Sequence, residues 1–215
     1  MDFDEIKNKI NSNIKVLYDN NKEYHARIGN HDFRYIKNSH SYIIDGFNVL
    51  SVSHLIRRIN PDLYKDVDKK ILNKAGRRGS IVHEEIEYYE KTGLKGFTEE
   101  FSSYLSLKEE LNIKSLGNEI FIIICNTNNE PILAGRLDMV YLRDNLIGIM
   151  DFKRTVELYK DNVTLQLNLY AYGFKETYGI DINELAVMRL RDNFKEFVQI
   201  EQNKDIAETA ILAYL

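Results

Sequence analysis

Three consecutive stretches decide how this chain folds: NEIFIIICNT (118–127), PILAGRLDMVYLR (131–143) and LIGIMDFKR (146–154). Each is rich in β-branched and aromatic residues, and turn-forming residues separate them, NTNNE at 126–130 and Asp144-Asn145. Such residues suit a pleated, half-buried surface bounded by tight turns, so the three runs read as an antiparallel meander. On a strand, residues two apart share a face. Ile147, Ile149, Asp151 and Lys153 therefore line one face of the third strand, opposite Leu146, Gly148, Met150 and Phe152. A run that is apolar on both faces belongs inside a sheet, yet one of its faces ends in an acid and a base. By their spacing alone these two read equally as an ion pair at an exposed strand end. The second strand carries another acid, Asp138, close behind Gly135, whose missing side chain lets another segment approach. Asp138 and Asp151 are thirteen positions apart with the turn midway, so the hairpin brings both carboxylates together.

Two opposed carboxylates in a core repel unless a cation lies between them. Oxygen donors with positions left open suit Mg²⁺ or Mn²⁺, hard cations that keep water and accept a substrate phosphate. Lys153, beside such an ion, is placed to hold the attacking water and offset phosphate charge.

On the C-terminal side of the meander the pattern predicts a helix from Lys160 to Tyr178 ended by Gly179, with Gln166 and Tyr170 four apart on one face. Strands at 184–190 and around 194–200 follow, then a closing helix from Asp205. On the N-terminal side, helices read over 62–75, 79–92 and 98–112, with Gly76 and Gly93 just past two ends. His83 falls early in the second of these, and an imidazole is a competent metal ligand. Ser51 or Ser53 can cap a helix that runs through Ile59 and stops before Pro61. The first 27 residues place Phe3, Ile6, Ile10, Ile14 and Leu17 at three- or four-residue spacing, which predicts an amphipathic helix. Residues 33–50 alternate weakly and read as a short hairpin or irregular strands. The expected architecture is a single α/β domain, 1–215. A mostly helical N-terminal part (1–78) precedes a catalytic core (79–200) with a central mixed β-sheet flanked by helices.

Composition narrows the function. Apolar residues make 44% of the 215 and charged residues 29%, a balance that folds rather than one that stays disordered. The lone cysteine, Cys125, excludes an internal disulfide and any site built from several thiolates. The opening MDFDEIKNKI carries charges where a secretory signal needs an apolar run, and the longest apolar run, 120–125, is too short for a bilayer. A cytoplasmic protein without membrane partners is expected. A net charge of −4 argues against non-specific coating of DNA. It leaves room for a local basic stripe at 65–78, where Lys65, Lys69, Lys70, Lys74, Arg77 and Arg78 face only Asp66 and Asp68, a local +4. That stripe reads as a solvated helix face or, through Lys74, Arg77 and Arg78, as a nucleic-acid contact.

Taken in order, Gly79-Ser80-Ile81-Val82-His83, Gly135-Arg136-Leu137-Asp138, Asp151-Phe152-Lys153 and Gln166-Leu167-Asn168-Leu169-Tyr170 resemble the motifs of the PD-(D/E)XK nuclease superfamily. The resemblance is to its RecB-type exonuclease branch. It spans 79–172, under half of the chain, with looser similarity at Ser51-Val52-Ser53. It implies a restriction-endonuclease-like core and a divalent metal held by His83, Asp138, Asp151 and the Phe152 carbonyl. It further implies that Lys153 serves the nucleophilic water, and that Gln166 and Tyr170 position the catalytic strand and the DNA phosphates. Glu119 is a further candidate for an acid beside the metal. Leu137 stands where the superfamily name has proline, and the four-cysteine cluster of some relatives is absent. No phosphate-binding G-x-x-x-x-G-K-[ST] loop occurs, so any helicase or recombination partner must be another chain. The expected activity is metal-dependent hydrolysis of DNA phosphodiesters in recombination, repair or phage-type processing, exonucleolytic rather than endonucleolytic. The rival readings are an inactive nucleic-acid-binding protein, or an assembly protein whose aspartates merely pair with Arg136, Arg143 or Arg154.

Overall fold

A computed structural model describes residues 1–62, 65 and 67–214. Helix α1 (Phe3–Ser12) is capped by Asp2, whose carboxylate accepts the Glu5 N–H at 2.8 Å. It is followed by five strands rather than more helix: β1 (Ile14–Asp19), β2 (Glu23–Ile28), β3 (His31–Ile36), β4 (Ser41–Ile44) and β5 (Phe47–Ser51). Each pairs antiparallel with the next. The expectation of a mostly helical 1–78 is therefore corrected. The helical spacing of Ile10, Ile14 and Leu17 crosses a real boundary at Asn13, the C-cap of α1. Beyond it the buried residues Ala26, Ile28, Phe33, Tyr35, Tyr42 and Ile44 follow period two. Asn20 turns β1 into β2 by accepting the Lys22 and Glu23 N–H groups.

Helix α2 (Val52–Ile59) is capped by Ser51, as the sequence implies. The next helix, α3 (Lys69–Thr92), merges two helices that the sequence separates at Gly76. Of the run 62–75, residues 63, 64 and 66 lie outside the described residues. Gly93 does end α3 in the left-handed conformation. After α4 (Glu99–Glu110) comes the expected meander, β6 (Lys114–Cys125), β7 (Pro131–Arg143) and β8 (Leu146–Lys153). Both residues of the β7–β8 turn, Asp144 and Asn145, have positive φ, which matches the twist of a two-residue hairpin. Helix α5 (Lys160–Tyr178), strands β9 (Glu184–Arg191) and β10 (Phe194–Ile200), and helix α6 (Lys204–Tyr214) complete the described chain.

Among the described residues the strands form one mixed sheet in the order β1-β2-β3-β4-β5-β7-β8-β9-β10, with β6 on β7. The β5–β7 and β8–β9 pairs are parallel. An α/β architecture with a mixed sheet flanked by helices is thus present. On one face α5 packs with Leu133, Leu137, Val140, Ile147 and Ile149 into the largest core cluster. On the other, Val82 and Ile86 of α3 and Phe101 and Tyr104 of α4 pack on Met139, Met150, Phe152 and Met188. A third cluster joins the N-terminal meander to Phe121, Ile123 and Ala134. No helix among the described residues is long and apolar enough to cross a membrane.

Candidate functional site

Strand β7 has more neighbours than a strand has edges. Its partner β6 runs along its length, so β5 and β8 share the other edge. The β5 pairing covers Leu133 and Ala134, and the β8 pairing begins at Met139. Between them the sheet forks, and Gly135, Arg136, Leu137 and Asp138 lie at the fork. The Asp138 carboxylate stands in for a missing ladder partner, its Oδ2 accepting the Phe152 N–H at 2.7 Å.

The side-chain alternation slips at the same place. Gly117 and Ile120 of β6 lie on the face of α5, three apart, and so do Leu137 and Val140 opposite them. The skipped pair is Glu119 opposite Asp138, since Asn118 pairs with Met139 and Ile120 with Leu137. Glu119 adopts φ 53°, a left-handed conformation that costs a non-glycine residue about 1–2 kcal/mol. Backbone strain of that kind is enforced by its surroundings and concentrates at functional sites.

His83 reaches this flaw from α3. Its Nε2–H donates to the Phe152 carbonyl at 3.1 Å, which leaves Nδ1 3.4 Å from Asp138 Oδ1 and 4.0 Å from Glu119 Oε1. One donor atom each from His83, Glu119 and Asp138 lie within 4.8 Å of one another, a spacing that fits one cation. The Phe152 carbonyl, expected as a ligand itself, accepts the Nε2–H and orients the imidazole so that Nδ1 is the nitrogen turned toward the acids. Glu119 joins the cluster, and Asp151, expected in it, lies outside. Asp151 is 3% exposed, with Lys153 Nζ at 2.8 and 2.7 Å from its two oxygens. The Gln166 amide donates to Asp151 Oδ1 at 3.2 Å, and its carbonyl lies 3.5 Å from Lys153 Nζ.

Charges here are strongly coupled. Burial disfavours the His83 imidazolium, but Asp138, Glu119 and Asp151 outweigh it and push its pKa up to about 9. Burial and the Asp138 charge raise Glu119 to about 7. Asp138 is held below the usual carboxylate range because His83, Lys153 and the Phe152 N–H outweigh its burial. Burial and then Asp138, opposed by Lys153, raise Asp151. The site so holds a proton on His83 that a divalent cation would displace.

Tyr170 does not face open solvent. It is 4% exposed, and its hydroxyl accepts from the Gln166 amide at 3.4 Å. The expected phosphate contact by Tyr170 is corrected to a buried support of Gln166. Its ring lies against Gly135, where a Cβ would come 2.6 Å from Tyr170 Cε1. Arg136 pairs with Glu119 at 2.6 Å and stacks over Tyr35 of β3 at 5.0 Å. Arg143 pairs with Glu184, and Arg154 with Glu100 and Asp192. None of these three arginines is the ion-pair partner of Asp138 or Asp151 among the described residues, contrary to the assembly reading.

An open cleft of about 1220 Å³ lies over the site, lined by His83, Glu119, Arg136, Asp138 and Lys153 and also by Tyr35, Lys37 and His40. The basic stripe divides. Lys74 and Arg77 are exposed on α3. Arg78 instead clamps the fully buried Glu100 at 2.9 and 3.2 Å, with Arg154 on the same carboxylate at 2.5 Å. These guanidiniums outweigh burial and lower the Glu100 pKa to about 2. Arg78 is thus a packing residue, a correction to its expected place at the nucleic acid.

No family model matches the chain, and no curated protein matches it. A solved structure titled "Crystal structure of SSO0001" aligns with 78% of this chain and 77% of that chain, at 15% identity and a TM-score of 0.44.

Proposed function

We propose that this protein is a divalent-metal-dependent deoxyribonuclease with a restriction-endonuclease-like core, acting on DNA ends and resembling the RecB-type PD-(D/E)XK enzymes. The observation that carries the reading is the juxtaposition at the β7 fork. Three metal-competent donors lie within 4.8 Å of one another, and a lysine–carboxylate pair stands on the adjoining strand. A hard cation fits the donor set of one imidazole and two carboxylates, with positions left for water and phosphate oxygens. Bound there, Mg²⁺ or Mn²⁺ would supply Lewis-acid stabilisation of the charge that develops on phosphate.

The chain's own groups do the rest. His83, fixed by the Phe152 carbonyl, and Asp138, fixed by the Phe152 N–H, hold the donor geometry. Lys153 lines the cleft, where its ammonium can hold a water for in-line attack and offset phosphate charge. Asp151 and Gln166 keep that ammonium in place. Lys74 and Arg77 supply sequence-independent attraction for the polymer.

The test is cleavage of linear and circular DNA with Mn²⁺, with Mg²⁺ and with chelator. Divalent-dependent degradation of linear DNA is expected. Absence of cleavage of both substrates with either ion would sink the reading and leave a nucleic-acid-binding protein as the alternative.

A further inference from the structure

Beside the metal centre lies a second cavity of about 280 Å³, lined by Leu72, Gly76, Gly79, Val82, Thr155 and Leu190. It shares Gly76, Gly79, His83, Phe152 and Lys153 with the open cleft, so the two meet at Lys153. Its walls are mostly apolar side chains, unlike those of the cleft.

Two features of these walls lack a packing explanation. Gly76 and Gly79 lie inside α3, where each costs about 1 kcal/mol relative to alanine. Neither has positive φ, and a Cβ at either would meet nothing within 4 Å. Neither turn geometry nor close packing calls for glycine, and what the missing side chains leave is the opening between cleft and cavity. Independently, Thr155 Oγ1 is buried without a hydrogen-bond partner among the described residues. An unpaired buried hydroxyl costs about 1–3 kcal/mol and marks this wall as imperfectly packed.

We propose that this cavity holds the terminal nucleoside of the DNA strand whose phosphodiester lies at Lys153. The proposal rests on the nuclease reading and adds to it the feature that selects an end. A volume of about 280 Å³ lies just under the roughly 300–1,000 Å³ of drug-sized pockets, room for one nucleoside. Leu72, Val82 and Leu190 suit the faces of a base and sugar. The charged, open cleft remains for the phosphates of the rest of the strand.

The experiment measures binding of short oligonucleotides by fluorescence anisotropy in chelator, with each terminus either intact or abasic. Loss of one terminal base should weaken binding to the wild-type protein about tenfold, in line with roughly 1–3 kcal/mol for a stacked base. Gly79→Leu, which fills the opening, should bind intact and abasic ends alike, at the weaker level. Leucine is the better helix former, so this variant should melt no lower than wild type. The Gly76→Ala, Gly79→Ala double variant, with smaller side chains, should show reduced discrimination as a second check. Equal wild-type affinity for intact and abasic ends at both termini overturns the proposal, as does undiminished discrimination in Gly79→Leu. Cleavage of linear DNA with Mn²⁺, measured in parallel, separates the two readings. Cleavage without terminal-base dependence sinks only the cavity's role, whereas terminal-base dependence without cleavage upholds the cavity and sinks the nuclease.

Discussion

Glu119 and Asp138 stand directly opposite each other on β6 and β7, at the step where both strands slip out of alternation. Residues directly opposite in an antiparallel ladder share a face, so next to Ile120 and Leu137 on the α5 face both acids turn to the α3 side. There both approach His83, at 4.0 and 3.4 Å.

That geometry ranks the carboxylates. Glu119→Gln and Asp138→Asn should each weaken Mn²⁺ binding at least tenfold, and Asp151→Asn, Lys153→Ala should keep most of it. Calorimetric titration of each variant is the check. Loss of DNA cleavage is expected for Asp138→Asn, Asp151→Asn and Lys153→Ala alike, because Asp151 holds the lysine. Unchanged metal affinity in Glu119→Gln would mean that its strained backbone serves only its ion pair with Arg136.

The His83 proton makes metal binding depend on pH. With a pKa raised to about 9, the imidazole is mostly charged near neutrality in the metal-free protein. Binding then expels the His83 proton and, near neutrality, part of one from Glu119, so heats measured in two buffers of different ionisation enthalpy should differ accordingly. The sign for stability is opposite in the two forms. A raised folded pKa stabilises the metal-free protein below the unfolded value of about 6.5, and that contribution is lost as pH rises through about 9. Melting temperature without metal should fall across this window while the shift produced by Mn²⁺ grows. A Mn²⁺-induced shift that is flat from pH 6.5 to 9 would contradict protonation of His83.

Arg78 separates packing from DNA contact within one helix. Its removal leaves buried Glu100 with Arg154 alone, so Arg78→Ala should lower stability measurably. Lys74→Ala and Arg77→Ala, on exposed positions, should change stability by no more than about 0.5 kcal/mol. If Lys74 and Arg77 meet phosphates, each removal should reduce the salt slope of DNA binding by roughly 0.9. Denaturant melts and a salt series of binding constants measure both. An Arg78→Ala protein as stable as wild type would restore that residue to the solvent-facing stripe.

Much of this was legible in the chain because short-range chemistry determined it. The Asp144-Asn145 turn sets the hairpin register, which pairs Met139 with Met150 and brings Asp138 and Asp151 to the next step of the two strands. Ser51, Gly93 and Gly179 mark helix ends through capping chemistry that acts within a few residues. The missed features depend on partners distant in sequence. Glu119, a further candidate from the sequence because it heads an otherwise apolar strand, takes a central place only because β6 pairs with β7 in a register that no local pattern reveals. Arg78 looked like part of a basic stripe because Glu100, 22 positions away, is brought to it by packing of α4 on α3. Strands β1 and β2 were obscured because Ile10, Ile14 and Leu17 keep a helical spacing across the boundary at Asn13, whereas 33–50 did read as a short hairpin or irregular strands.

The most demanding prediction concerns Gly135, far from any charge transfer. A Cβ there would stand 2.6 Å from Tyr170 Cε1, closer than real side chains approach, and 3.2 Å from Val52 Cγ2, a tight contact. Tyr170 is 4% exposed and its ring cannot swing into solvent, so Gly135→Ala must displace it and pull its hydroxyl from Gln166. Gln166 in turn bridges Asp151 and Lys153. The substitution should therefore act on chemistry through two relays, lowering single-turnover cleavage roughly ten- to several-hundred-fold, or one to a few kcal/mol of barrier. Overpacking should also cost about 1–3 kcal/mol of stability, so rates are compared well below the melting transition. Gln166→Ala should reproduce the rate loss without the stability loss, and Tyr170→Phe, which keeps the ring, should do so more weakly. Mn²⁺ affinity should be unchanged in all three, because His83, Glu119 and Asp138 are untouched. If Gly135→Ala cleaved as fast as wild type, the Tyr170–Gln166 contact would be packing only, and the lysine would be held by Asp151 alone.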